Sequence, residues 1–421
     1  MHSYTFFLGR KNFISLAELE SKLPAGSEFT AISREFAIIS FAEKLKNPQN
    51  ILNQLGGTIK IAQVFDQIPN KWDQAINSIS KILKDQYSQD SKKLSYAISI
   101  SNFTQKPEII LKRFLIKLKK ELISNQVKSR FFNNNFQNPE TAQLKGENVP
   151  TEGVEINILN YHQNFYLTKT IAIQDIDSYS KRDYERPERD PRLGMLPPKL
   201  AQILINIAGL KTIGQKDEKS CPTIYDPFCG IGTVLSEGFL MDFNVIGSDL
   251  DQNNVFKTQR NLSWLKSEYP QQQSNSKVFQ KEISYLEENN LGQKIEAVIS
   301  ETWLGPPVKI CPAETQIDKT FEQVEKLISG LLDRIKNFEK SNPVIVLTIL
   351  TYFQKPRRYI FPKAIIKRIN QNGYQIEPLI STELIEKFNV PCPNQYELIY
   401  SRPDQIACRT IIKLTRSTSQ S

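Results

Sequence analysis

Histidine is nearly missing from this chain: His2 and His162 are the two in 421 residues. That scarcity argues against a histidine-rich metal site and against a buried Ser-His-Asp triad, both of which need imidazole. Cysteine is sparse as well. Cys221, Cys229, Cys311, Cys392 and Cys408 form no CxxC pair and are odd in number, which speaks against a zinc ribbon and a disulfide scaffold. No apolar run approaches the ~18 residues a membrane helix requires. The first ten residues, MHSYTFFLGR, are too short and too polar for a signal peptide. The expectation is a reduced, cytoplasmic protein with no metal and no membrane association. What is present is apolar mass, 39% hydrophobic against 24% charged residues, enough for several cores. At about 150 residues per domain, the length predicts two or three domains.

Acidic residues are scarce in one place. Residues 91–130 hold ten Lys or Arg but only Glu108 and Glu121, a local charge of +8 that leaves +1 for the rest of the chain. Within this stretch Pro107 opens a predicted helix. Ile110, Leu111, Phe114, Leu115, Leu118 and Leu122 recur on one stripe of it. Lys112, Lys117 and Lys120 fall on the other face, with Lys128 and Arg130 just beyond. Such a face is either an ordinary solvated surface or a surface for a polyanion. The lack of balancing acids favours the second.

Ahead of it, strand-like runs at 4–8, 36–41 and 59–65 alternate with helical runs at 15–23 and 48–55, a βαβ-type pattern. Ser15 and Glu18 have capping-box spacing. Segments 133–137 and 145–153 are turn-rich, and 153–159 with 164–173 alternate as a hairpin. Residues 175–192 are charged and aperiodic and read as a linker.

From about 195 the pattern becomes α/β. A strand at 223–225 ends in Asp226-Pro-Phe-Cys-Gly-Ile-Gly-Thr233. A helix follows, and a second strand, 244–248, ends at Asp249. A glycine turn between strand and helix lets backbone approach a ligand, and an acid ending the next strand suits two ribose hydroxyls. A dinucleotide fingerprint fails here, because Leu235 occupies the position of its third small residue. An acid at the end of the first strand would also repel a pyrophosphate. It suits a cationic ligand such as S-adenosylmethionine, with Asp226 toward the methionine end and Asp249 on the ribose.

The segments DPFCGIGTVLSEG and GSDLD resemble the cofactor motifs of class I methyltransferases. RDYERPERDPRLGMLPPKLAQILINIAG resembles the lead-in of the THUMP-domain RNA methyltransferases, in particular the tRNA guanine-10 N2-methyltransferase group. FLGRKNFISLAELE and LGGTIKIAQVFDQI are similar to that group's ferredoxin-like start. The resemblance implies an N-terminal ferredoxin-like domain (1–75), a THUMP-like RNA-binding domain (76–174), a linker (175–192) and a Rossmann-like methyltransferase domain (193–421). It further implies S-adenosylmethionine bound by Asp226, Phe228, Gly230, Gly232, Thr233 and Asp249. Glu282 and Ile283, from a third strand at 277–285, would face the adenine. It also implies tRNA as partner, met by the basic 91–130 surface.

Where that group carries Asp/Asn-Pro-Pro-Tyr, this chain reads AVISETWLGPP. Glu301 then takes the position of the acid and Trp303 that of the aromatic, with a prolyl pair only at Pro306-Pro307. The activity so implied is methylation of the exocyclic N2 of a guanosine. Two other readings stay open: a DNA adenine-N6 amino-methyltransferase, and a non-catalytic tRNA-binding protein with a degenerate base site. A cytosine-5 enzyme needs a nucleophilic cysteine, and Cys311-Pro312 has the reverse of the expected order. Cys229 reads as a packing residue, and His162 as a surface residue. The C-terminal strands at 343–350, 397–401 and 406–414 are expected to close the sheet with an antiparallel hairpin around residues 402–405.

Overall fold

A computed structural model describes residues 1–87, 93–189, 195–213, 221–355, 358–403 and 405–417. Lys92, positions 190–192 of the expected linker, positions 190–194 of the lead-in motif, and Asp404 of the hairpin turn lie outside them. The chain divides into two compact units, 1–12 with 23–176, and 13–22 with 177–421. Among the described residues no helix is long and apolar enough to cross a membrane.

The first unit is built on one eight-stranded sheet. Its strands are β1 (His2–Leu8), β2 (Glu28–Ile32), β3 (Phe36–Phe41), β4 (Thr58–Pro69), β5 (Leu94–Ser101), β6 (Ser129–Phe131), β7 (Val154–Tyr161) and β8 (Asn164–Ile173), in the order β2-β3-β1-β4-β8-β7-β5-β6. The first four are antiparallel, the order of a ferredoxin-like βαββαβ unit. The βαβ expectation is corrected to that extent: it lacks β2, which reaches β1 only through β3. Because β4 pairs with β8, the same sheet runs past position 75 without interruption. Strands β7 and β8 form the expected hairpin.

The helix Pro107–Ser124 starts on its proline and buries Leu111, Phe114, Leu115, Leu118 and Leu122 against β5, β7 and the helix Trp72–Tyr87. Each such side chain contributes about 1.5–3 kcal/mol by leaving water, so Leu118→Ala is expected to cost about 2–5 kcal/mol. One buried polar cluster spans the sheet. Lys60 donates to Glu155 (2.5 Å) and Asn157 (2.7 Å), and Ser99 and Thr170 also donate to Glu155. The charges are tolerated because each is paired and hydrogen-bonded.

The second unit holds β9 (Thr223–Asp226), β10 (Asn244–Asp249), β11 (Ser276–Gln280), β12 (Ala297–Glu301), β13 (Val344–Gln354), β14 (Arg358–Ile360), β15 (Tyr374–Glu377), β16 (Leu398–Tyr400) and β17 (Ala407–Arg416). The main path runs β11-β10-β9-β12-β13-β17-β15. The first five are mutually parallel, and β17 is inserted antiparallel between β13 and β15. Strands β16 and β17 form the expected hairpin. The parallel strands β9, β10, β12 and β13 are buried along most of their length, which is why they read as largely apolar runs, whereas the edge strand β11 is only partly covered.

Three local expectations fail here. The first helix spans Asn12–Ser21, so Ser15 lies inside it, buried, and does not mark its start. Glu18 instead accepts from Asn206 Nδ2 (2.8 Å). Residues read as a linker are helical over Ile176–Tyr184 and packed. Arg182 is buried against Glu237 (2.8 Å) and lies over the Tyr179 ring, so charge without apolar periodicity did not mean exposure. The third strand stops at Gln280, and Ile283–Tyr285 form a 3-10 turn.

Candidate active site

Strand β9 delivers Asp226 to its C-terminal end, 2% exposed. Its Oδ1 accepts from the Phe228 backbone N–H (3.1 Å) and from Ser300 Oγ on β12 (2.5 Å). Burial pushes this carboxyl up to about 7, reinforced by the negative charges of Asp249 and Glu301 and opposed by those two hydrogen bonds. The loop then turns through Gly230 (φ +53) and Gly232 (φ +83) into the helix Thr233–Leu240. A Cβ at Gly230 would meet nothing within 4 Å, whereas one at Gly232 would sit 2.6 Å from Thr258 Cγ2. The first glycine leaves open space beside the site. The second allows the helix Gln252–Glu268, which carries Thr258, to pack against the loop.

Asp249 ties this loop down. Its Oδ2 accepts from the Gly230 N–H (2.9 Å), and its Oδ1 from the Asp251 N–H (2.9 Å) and Asn254 Nδ2 (3.2 Å). Thr233 Oγ1 accepts from Arg186, itself buried. Cys229 is buried, its thiol pushed up by desolvation, and its sulfur packs 3.9 Å from Thr258 Oγ1.

Strand β12 ends in Glu301, which accepts a hydrogen bond from Nε of Arg409 on β17. Burial raises the Glu301 carboxyl, and the Arg409 guanidinium offsets part of that rise. Thr302 is buried, bonded through its N–H and hydroxyl to Thr348 O, while Trp303 is 41% exposed. Gly305 (φ +75) fits where any Cβ would lie 2.9 Å from Tyr352 Oη.

These groups line one cavity of about 640 Å³, within the range of small-molecule sites. Its wall brings together Asp226, Phe228, Gly230, Thr233, Asp249, Glu301 and Trp303, with Asn254 and Leu196. Among the described residues it contains three carboxylates and no Lys or Arg. Gly232 is not in the wall. Neither is Glu282, which is exposed and accepts from Ser284 Oγ (2.6 Å), nor Ile283, which packs into the core of this unit. Glu282 immediately precedes, and Ile283 opens, the 3-10 turn that replaces the strand expected there. Sequence reasoning missed Ser300, Asn254, Arg186 and Arg409. Only Arg409 left a signal, a lone arginine in the apolar strand ACRTIIKL.

In the first unit the side chains of Lys112, Lys117, Lys120, Lys128 and Arg130 are all exposed. The acids missing from their own stretch arrive from elsewhere. Arg130 pairs with Glu147 (2.5 Å), and Lys117 lies 3.6 Å from Asp73. Ile109, Ile116 and Ile123 are also exposed on the same helix, so its outer face is not purely cationic.

No family model matches the chain. It is 31% identical over 173 residues to a tRNA (guanine(10)-N2)-dimethyltransferase of Methanothermobacter thermautotrophicus, covering 41% of this chain and 43% of that one. It is 26% identical over 186 residues to a protein of the same name from Methanocaldococcus jannaschii, covering 43% and 48%. The chain thus spans less than half the length of these curated relatives. Among solved structures, TrmN from Thermus thermophilus aligns over 99% of this chain and 100% of its own, with a TM-score of 0.51 and 11% identity. That likeness is one of fold. With the strand order described above, the second unit has the Rossmann-like fold of class I methyltransferases.

Proposed function

We propose that this protein transfers a methyl group from S-adenosylmethionine to the exocyclic N2 of a guanosine in tRNA. The observation that carries the reading is the cavity wall, where three carboxylates and an exposed tryptophan meet at the C-terminal ends of β9, β10 and β12 with no cation among the described residues. Such a wall suits a sulfonium and an ammonium and disfavours a pyrophosphate. The open space at Gly230 fits the same ligand. The names of the two relatives point to the same reaction.

Asp226 faces the cationic end of the cofactor and Asp249 its ribose hydroxyls, with Phe228, Gly230 and Thr233 completing that side. When bound, the cofactor supplies an electrophilic methyl, leaving as a neutral thioether while the acceptor nitrogen gives up one proton. The lone pair of a guanine amine is delocalised into the ring, so the protein must hold the nitrogen in place. Glu301 accepts its N–H groups and takes the proton. Trp303 offers a face for a base turned out of its stack, worth about 1–3 kcal/mol. Most of the acceleration then comes from holding nitrogen and methyl in line.

Residues 1–75 as a ferredoxin-like part and 76–174 as a THUMP-like part would bind tRNA, with Lys112, Lys117, Lys120, Lys128 and Arg130 meeting phosphates. The test is incubation with an unmodified tRNA transcript and labelled S-adenosylmethionine, followed by nucleoside mass spectrometry. N2-methylguanosine is expected. N6-methyladenosine or 5-methylcytidine would refute the substrate, and a protein that binds tRNA but neither binds nor spends the cofactor would refute the enzyme.

A further inference from the structure

Arg409 is among the largest fully buried side chains, 2% exposed. It lies on β17 opposite Leu350 of β13, while Glu301 on β12 lies opposite Thr348 of the same strand. The two therefore meet diagonally across β13, Arg409 Nε donating to Glu301 Oε1. Arg409 is absent from the cavity wall, whereas Glu301 is part of it, its side chain 21% exposed. A guanidinium cannot shed its charge, so a buried one demands a fixed anion. Among the described residues, the other carboxylates of the cavity have no ion pair: Asp226 is bonded to Ser300 and the Phe228 N–H, and Asp249 to Gly230, Asp251 and Asn254.

Building on the methyl-transfer reading, we propose that Arg409 is a positioning residue, which orients the Glu301 carboxylate from beneath and keeps it ionised where it meets the target amine. The charges that face Glu301 come from three strands. Strand β9 brings Asp226 and β10 brings Asp249, two acids whose negative charge, when present, would favour protonation of Glu301. The facing residues Thr348 and Leu350 of β13 and the loop 302–308 carry no charge, so Arg409 on β17 is the one cation in the described surroundings that opposes them. Burial by itself raises the Glu301 carboxyl. A protonated Glu301 would present a donor to an N–H group, the wrong polarity.

The experiment compares the full-length wild type with Arg409→Met and Arg409→Lys. Three readouts are taken: the carboxyl 13C titration of Glu301, assigned by its loss in Glu301→Gln; the pH profile of methyl transfer to an unmodified tRNA transcript; and calorimetry with S-adenosylmethionine. Glu301 should be ionised at pH 7 in the wild type. In Arg409→Met its titration and the acid limb of kcat/KM should both move up, by a unit or more, with about a tenfold loss at neutral pH regained in alkali. Arg409→Lys should fall between, and cofactor affinity should hold in all three. A uniform loss with an unmoved profile would overturn the proposal. A wild-type Glu301 already protonated at pH 7 would do so even where Arg409→Met does not fold. If the wild type methylates no tRNA, the substrate reading fails, while the carboxyl titration still decides whether Arg409 governs Glu301.

Discussion

The charges of the first unit and those of the second obey different physics. On the helix Pro107–Ser124 and beyond it, the cations stand in water, and two of them have acids within reach. In the cavity of the second unit three carboxylates crowd a mostly apolar wall, with no cation among its described residues. Exposed charges are screened over about 10 Å, so they act as a sum and respond to salt. Buried ones change their own protonation instead: Asp226 is pushed up to about 7. On the proposed reading, the +8 of residues 91–130 would attract a polyanion, while a few desolvated groups elsewhere would carry the chemistry.

The sharpest way to break this comparison is Glu301→Ala. It should abolish methyl transfer, by roughly 10²–10⁴-fold, while calorimetry shows cofactor binding unchanged. A variant that turns over normally would end the assignment. Asp249→Ala comes next, expected to weaken S-adenosylmethionine by about 10²-fold, since it removes charged hydrogen bonds worth about 1.5–3 kcal/mol each and releases the Gly230 loop. Normal affinity by calorimetry would remove Asp249 from the cofactor site.

A smaller effect should appear with pH. Asp226 is protonated more readily when folded than the ordinary carboxylate value of 3.8 allows, so its contribution to stability is full below that value and is lost as pH rises towards about 7. Thermal melts of the ligand-free protein should show this slope, and Asp226→Asn should flatten it. Cofactor affinity should move the opposite way, rising as Asp226 ionises, and a pH-independent affinity would disconnect Asp226 from the cation.

The mildest test belongs to the first unit. Charge reversal at Lys117 and Lys120 should weaken tRNA binding across sequences and reduce the salt slope by about 1 for each phosphate no longer met by a cation. Asp73 already offsets part of the Lys117 charge, so Lys120→Glu should exceed Lys117→Glu. Equal salt slopes for wild type and variants would mean that the basic face is only a solvated one.

Much of the second unit was legible in the chain. Parallel strands buried on both faces appear as apolar runs such as TIYD and AVISE, and their polar last residues stand out at the ends. That made Asp226 and Asp249 visible in the chain, while Glu301 stood out through the likeness of AVISETWLGPP to the Asp/Asn-Pro-Pro-Tyr stretch. The misread parts have two causes, polar residues satisfied by distant partners and element ends that fall a few residues from where the pattern puts them. Arg182 and Arg186 looked like linker and are buried on Glu237 and Thr233. Glu282 looked like a ligand-facing acid, yet the strand ends two residues earlier and leaves it in solvent. Ser15 matched a helix start, yet the helix begins at Asn12.

By itself the sequence determined the α/β character, the glycine turn between two acids and the concentration of positive charge, because periodicity, backbone freedom and charge are local properties. Only the tertiary structure decided which acids share a cavity, that Glu301 meets its counter-ion 108 positions away, and that Glu282 and Ile283 stand apart from it. Those are matters of strand order. Seating β17 against β13 brings Arg409 beneath Glu301, and no spacing along the chain records that neighbour.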